Sequence, residues 1–368
     1  DMYREEVIRS AITLKLHHYE DTGAITAAAT TSLPEHRGCG RNWDYRFCWP
    51  RDGYFTANAL TLLGEYETCE SFADFLELAM PAGERMQPLY GIGGERAVDE
   101  EVLEHLAGYQ GNRPVRIGNQ AYLQDQHDIY GESLGALEPL SRRLGARARS
   151  HRDLAMRLLH AAKEHMRSKD AGLWEKRNEP QLHTFTLLMH WLAGCVAEKV
   201  GDLNDDGEMC ELGAIVASQA CQIIENECWN EEAGYYADAA GGDMADASLF
   251  LMVSMGYLDP EGARAERHVA TLARKLQASP HLFYRYRHDD GLGETHSCFT
   301  VCSLWYAEAL AAMGEKNKAR RVLETILSHS NHLGLLSEDI DPVDGSLWGN
   351  FPQTYSHVGI IRVALALE

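Results

Sequence analysis

Apolar residues recur every three or four positions along most of this chain. Leu154, Leu158, Ala161 and His165 fall on one face of a helix expected over 150–167. Val301, Leu304, Trp305 and Glu308 repeat the spacing over 298–313. The same pattern predicts helices over 4–19, 54–63, 70–80, 129–144, 184–200, 208–227, 246–255, 262–277, 316–329 and 355–367. Together these make about twelve helices, joined by loops of roughly 5–30 residues. The strict apolar–polar alternation of half-buried strands is rare. No Ser/Gly-rich linker interrupts the order, so residues 1–368 read as one domain. Twelve helices in one closed unit suggest an all-α fold of six helical hairpins in a toroid, an (α/α)6 barrel. Periodicity alone equally allows an α-solenoid.

Composition removes several classes of function. The hydrophobic share of 45% is that of a globular protein. A formal charge of -21 repels polyanions, so neither nucleic acid nor an anionic membrane surface is an expected partner. A neutral small molecule is indifferent to that field. No apolar run approaches the roughly 20 residues that cross a bilayer. The first residues, Asp1 to Glu6, carry charge and no signal-peptide core. Nine cysteines are scattered without a CxxC pair, which fits free thiols in a reducing compartment and a cytoplasmic location.

Three segments carry chemistry. The first is Arg41-Asn42-Trp43-Asp44-Tyr45-Arg46-Phe47-Cys48-Trp49-Pro50-Arg51-Asp52-Gly53, which crowds aromatics and guanidinium groups around acids. The second is Gly172-Leu173-Trp174-Glu175-Lys176-Arg177, and the third is Leu335-Leu336-Ser337-Glu338-Asp339. An acetal is stable to base and breaks when its leaving oxygen is protonated. Cleaving a sugar acetal therefore needs a carboxylic acid, a second carboxylate and apolar platforms for the sugar's C–H faces. A guanidinium that donates beside a carboxylate that accepts can grip adjacent hydroxyls.

These segments, in this order, resemble the signature regions of the glucoamylase-like inverting enzymes of glycoside hydrolase family 15. Thr31-Ser32-Leu33-Pro34, the stretch from Tyr109 to Asn119, Tyr284-Arg285-Tyr286-Arg287 and the stretch from Gly349 to His357 extend the likeness over nearly the whole chain. The resemblance implies the (α/α)6 barrel and decides against the solenoid. It implies Glu175 as general acid, Glu338 as general base and Tyr45 beside the attacking water. It further implies Arg51 and Asp52 as the grip on the terminal glucose, and Trp49 and Trp174 as walls. Arg285 and Tyr286 fall on the substrate side, and Arg113 and Arg116 near the entrance. No cofactor and no metal are implied. Bacterial members usually carry an N-terminal β-sandwich, whereas this chain is expected to start directly at the barrel. The expected substrate is a short α-glucoside cut from its non-reducing end with release of β-glucose. Isomaltose-type α-1,6 linkages come first, with α-1,4 glucosides and trehalose as alternatives. A non-catalytic carbohydrate-binding or regulatory domain is the competing class. Its weakness is that both carboxylates are present with their flanking residues.

Some motifs point elsewhere and carry less. Asp202-Leu203-Asn204-Asp205-Asp206-Gly207 begins like a calcium loop, but Gly213 stands where the bidentate Glu belongs, so an acidic helix–helix loop is expected. His296, Cys298 and Cys302 cluster without a fourth zinc ligand.

Overall fold

Which helices are buried all round and which on one side decides the architecture. The structure is a computed structural model that describes residues 2–81, 83–144, 151–291 and 296–368. Helices α2 (Pro50–Leu62), α4 (Ile129–Leu144), α6 (Thr184–Asn204), α8 (Leu251–Ser254), α10 (Thr300–Ala312) and α12 (Thr354–Ala366) are buried on nearly every side. Helices α1 (Arg4–His17), α3 (Glu67–Ala79), α5 (Arg152–Glu164), α7 (Gly207–Ile223), α9 (Ala263–Leu276) and α11 (Lys316–Ser328) alternate with them and bury one stripe each. A helix that is apolar all round belongs inside, and a one-sided helix belongs outside.

The buried helices pack in a ring, α2 on α4, α4 on α6, α8 on α10, α10 on α12 and α12 back on α2. The ring passes from α6 to α8 through the 3-10 turn Ala247–Phe250. The one-sided helices lie outside it, α1 against α12, α3 against α2 and α4, α7 against α6 and α11 against α10. This is the (α/α)6 barrel. Its main core runs from Leu14 to Ile361 and includes Phe55, Phe72, Phe185, Phe250 and Trp305. Helices α6 and α7 approach closely at Gly194 and Gly213. A Cβ on Gly194 would stand 2.5 Å from the Gly213 carbonyl oxygen, so the contact needs hydrogen there.

Several expected boundaries shift for local reasons. Helix α4 matches the predicted span, whereas α2 starts four residues early, because Pro50 occupies its first turn, where a missing N–H costs nothing. The helix predicted over 246–255 is a 3-10 turn followed by the four residues of α8, with Asp246 capping the turn. Helix α7 ends at Ile223 in a π turn, Ile224–Cys228. Cys298–Phe299 form a strand rather than the start of α10. In the helix predicted over 150–167, Ser150 lies outside the described residues and α5 begins at Arg152. The acidic loop does structural work: Asp206 caps α7 by accepting from the Met209 N–H and pairs with Arg152 at 2.5 Å.

Candidate active site

Connections between the helices are of two kinds. Those from a buried helix to the next outer one are short, such as residues 63–66 and 313–315. Those from an outer helix to the next buried one are long: 18–49, 80–128, 165–183, 224–250, 277–299 and 329–353. Five of these six line one pocket at the N-terminal ends of the buried helices, together with Arg51 and Asp52 in the first turn of α2 and Tyr355 in that of α12. The sixth, 224–250, lies behind it. Helix N-termini favour acceptors and negative charge, so the barrel aims its polar ends at the pocket.

Glu175 stands on the pocket wall at the end of the turn Gly172-Leu173-Trp174-Glu175, where its N–H donates to the Gly172 carbonyl at 3.1 Å. Its backbone is left-handed, with φ 56°. Residues with a Cβ rarely adopt that region, and strain of this kind clusters at functional sites. The Trp49 indole N–H donates to Glu175 Oε1 at 2.6 Å, and Arg51 Nη2 lies 3.6 Å from the same oxygen.

Glu338 is buried beside the middle strand, Asp339–Ile340, of a small sheet flanked by Cys298–Phe299 and Leu347–Trp348. Tyr45 donates its hydroxyl to Glu338 Oε1 at 2.6 Å, and the Asn350 N–H donates to Oε2 at 3.3 Å. Gly349, with φ 76°, lets the chain pass: a Cβ there would stand 2.6 Å from that of Glu338. Burial pushes the Glu338 carboxyl up to about 7; the neighbouring Glu35 adds to the rise, while Arg285 and the Tyr45 hydrogen bond oppose it. The rings of Tyr45 and Trp49 meet edge to face at 5.5 Å. A continuous aromatic wall thus joins the two glutamates.

Arg51 and Asp52 are buried and line the pocket floor. Arg51 Nη1 donates to Gln126 Oε1 at 2.8 Å and to Asp128 Oδ2 at 3.1 Å, because successive helical residues diverge and α4's approach lies behind Arg51. Burial pushes Asp52 up to about 7, against the pull of Arg51 and with a further push from Glu175.

Trp174 lines the pocket and donates its indole N–H to Asp246 at 2.8 Å. Arg285 lines it too, with Nη2 on Glu35 Oε2 at 2.6 Å. Tyr286 is buried one layer back, its hydroxyl donating to Asp290 Oδ2 at 2.5 Å. Among the described residues the pocket lining includes neither Arg113, which is exposed, nor Arg116. Arg116 donates to the carbonyls of Gly40 and Asn42, pairs with Glu100 at 3.1 Å and lies 4.5 Å over the Trp43 ring. Arg177 lies 4.8 Å over the same ring and reaches the pocket, taking the place expected for an entrance arginine.

Sequence reasoning gave no site role to Glu35, Arg41, Trp43, Asn119 or Gln124, all of which line the pocket, although Arg41, Trp43 and Asn119 fall inside the motifs it quoted. Glu35 Oε2 accepts from both Arg41 Nε, at 2.7 Å, and Arg285. Glu35 directly follows Thr31-Ser32-Leu33-Pro34, a segment already singled out, and that adjacency was the available signal. Among the described residues no group of three or more His, Cys, Asp or Glu side chains is placed to hold a metal ion, and no helix is long and apolar enough to cross a membrane.

Fold and pocket together define an (α/α)6 barrel whose outer-to-inner connections build one carboxylate-lined, aromatic-walled pocket. The chain belongs to the glycosyl hydrolases family 15, whose sequence profile matches residues 1–365. It is 36% identical over 371 residues to a trehalase of Mycobacterium tuberculosis, covering 99% of this chain and 54% of that protein. A trehalase of Thermoplasma volcanium is 35% identical over 371 residues, covering 100% of this chain and 59% of that protein. The chain therefore spans a little over half the length of these curated relatives. Among solved structures, a wild-type glycosidase superimposes with a TM-score of 0.75 at 20% identity, covering 99% of this chain and 96% of that one. A bacterial glucoamylase complexed with acarbose gives 0.72 at 17% identity, covering 96% of this chain and 53% of that one. Both share the fold.

Proposed function

We propose that this chain is the catalytic domain of an inverting glycoside hydrolase whose substrate is trehalose, with Glu175 as general acid and Glu338 as general base. What supports the roles most is that the two glutamates end one aromatic wall in different settings. Glu175 faces the pocket beneath an indole donor, and Glu338 is buried with a phenol on one oxygen and a backbone N–H on the other. The core from Leu14 to Ile361 supports residues 1–368 acting as one domain.

In this reading a glucose unit sits against Trp49 and Trp174 with its hydroxyls on Arg51 and Asp52. Glu175 gives its proton to the glycosidic oxygen. Glu338 takes a proton from a water on the opposite face, with Tyr45 fixing the carboxylate that receives it. Room for that water sets an expected carboxyl separation of about 6.5–9.5 Å. A base titrating near neutrality suits the task.

Isomaltose-type linkages came first on sequence grounds; the trehalase names of the relatives reverse that order. Nine free thiols support work in a reducing, cytoplasmic compartment on a small imported sugar. A panel of trehalose, isomaltose, maltose, nigerose and soluble starch with glucose detection tests the reading. Trehalose should be cleaved at least tenfold faster than the others. Faster release from isomaltose or starch would replace the substrate, and release from none would favour a non-catalytic sugar-binding domain.

A further inference from the structure

The connection 224–250 is the one long connection that contributes no residue to the pocket lining among the described residues. It carries two buried aspartates, Asp238 and Asp246, and each holds a neighbour of Glu175. Lys176 Nζ lies 3.1 Å from Asp238 Oδ2, both side chains being buried. The Trp174 indole N–H donates to Asp246 Oδ2 at 2.8 Å. Both aspartates are themselves fixed. Asp246 Oδ1 accepts from the Ser248 N–H and hydroxyl at 2.8 and 2.7 Å. The Asp238 N–H donates to the Met244 carbonyl, and its own carbonyl accepts from the N–H of Thr184, the first residue of α6. Glu175 sits between these anchors in its left-handed conformation.

We infer that Asp238 and Asp246 form a two-point clamp, acting through Lys176 and Trp174, that holds the strained Glu175 backbone so that its carboxyl points into the pocket. They are positioning residues, and neither lines the pocket. A left-handed residue with a Cβ relaxes unless its surroundings hold it. Adjacent side chains on such a turn diverge, and here Trp174 and Lys176 run to aspartates on one connection while Glu175 is left facing the cavity. A buried lysine with its charge matched is also a strong anchor, because freeing it would strand both charges. The groups around the ion pair include the Tyr286 ring, 5.5 Å from Lys176 Nζ, His288, with Nε2 4.0 Å from Asp238 Oδ2, and the buried His183 and Asp246.

The clamp rests on the reading of Glu175 as the acid, and its test separates the two. Kinetics are measured on the disaccharide the protein cleaves fastest and on α-glucosyl fluoride, whose leaving group needs little protonation. Lys176→Met and Asp238→Asn should each lower kcat on the disaccharide at least tenfold with KM within threefold. Turnover of the fluoride should stay within threefold. The double variant Lys176→Met/Asp238→Leu removes both charges of the pair, so its melting temperature should exceed that of either single variant while the selective loss persists. Recovery of disaccharide turnover in the double variant, equal losses on both substrates, or no loss at all would overturn the clamp. Glu175→Gln, run in parallel, should show the same selectivity more strongly. If it loses both substrates equally, the acid assignment has failed. If it is selective and the clamp variants are not, the clamp alone has failed.

Discussion

Two oxygens of Glu338 have two fixed donors, and the charged Glu35 and Arg285 stand near them. Tyr45 and the Asn350 N–H leave little freedom to the carboxyl group. Glu338→Gln keeps the shape and removes the proton acceptor. Turnover should fall by about 10²–10⁴-fold, with substrate binding by calorimetry retained; activity within tenfold of wild type would remove Glu338 from the mechanism. The pH dependence follows from the sign of the shift. Burial and Glu35 raise the Glu338 carboxyl to about 7, so below that pH it is protonated and cannot act as a base. kcat/KM should therefore rise with pH through a limb near 7, a limb that Glu338 shares with its raised neighbour Asp339. Glu35→Gln removes a negative neighbour and leaves Arg285 unopposed, so the limb should move to lower pH. A limb that stays or moves up would show that Glu35 does not act on Glu338. Arg51 is bound from behind by Asp128 and Gln126, and its removal strands the buried Asp128. Arg51→Ala should lower kcat/KM at least a hundredfold and cost about 3–5 kcal/mol of stability. Unchanged kinetics with the same stability loss would make the arginine purely structural.

At the level of elements, the site is a property of the long connections and the turns that steer them. Gly349 is the most exposed to test, since any side chain there meets Glu338 and a left-handed φ together. Gly349→Ala should cost about 1–3 kcal/mol in thermal unfolding and lower kcat at least tenfold, because the base must move. Full activity at an unchanged melting temperature would contradict the packing described. Helices were legible from periodicity where the apolar repeat runs their whole length, as in α11 and in α4, which keeps it through Pro139. They were not where a proline opens the first turn ahead of the repeat, as at the start of α2, or where a short apolar stretch reads alike as helix or turn, as at α8. Glu175 and Glu338 could be singled out as candidates because each sits inside a motif. The Arg285–Glu35 contact was not, since its partners lie 250 positions apart and nothing local marks the pairing. Arg116 was not resolved for a related reason: a loop arginine reads alike whether it faces substrate or, as here, lies over the Trp43 ring outside the pocket lining.

For the whole molecule, closing the ring of buried helices brings five distant connections to one end, and that closure turns scattered motifs into a pocket. A solenoid of the same helices would leave Trp49, Glu175 and Glu338 apart. The central claim is that this pocket hydrolyses trehalose with inversion, and proton NMR of the earliest products tests it directly. Trehalose joins two α-configured anomeric carbons. Water entering opposite the bond converts one to β-glucose, while the departing sugar keeps its own C–O bond and leaves as α-glucose. The account predicts equal α- and β-glucose before mutarotation sets in. α-Glucose alone would mean a retaining reaction with carboxyl groups nearer about 5 Å, and would contradict the roles given to Glu175 and Glu338.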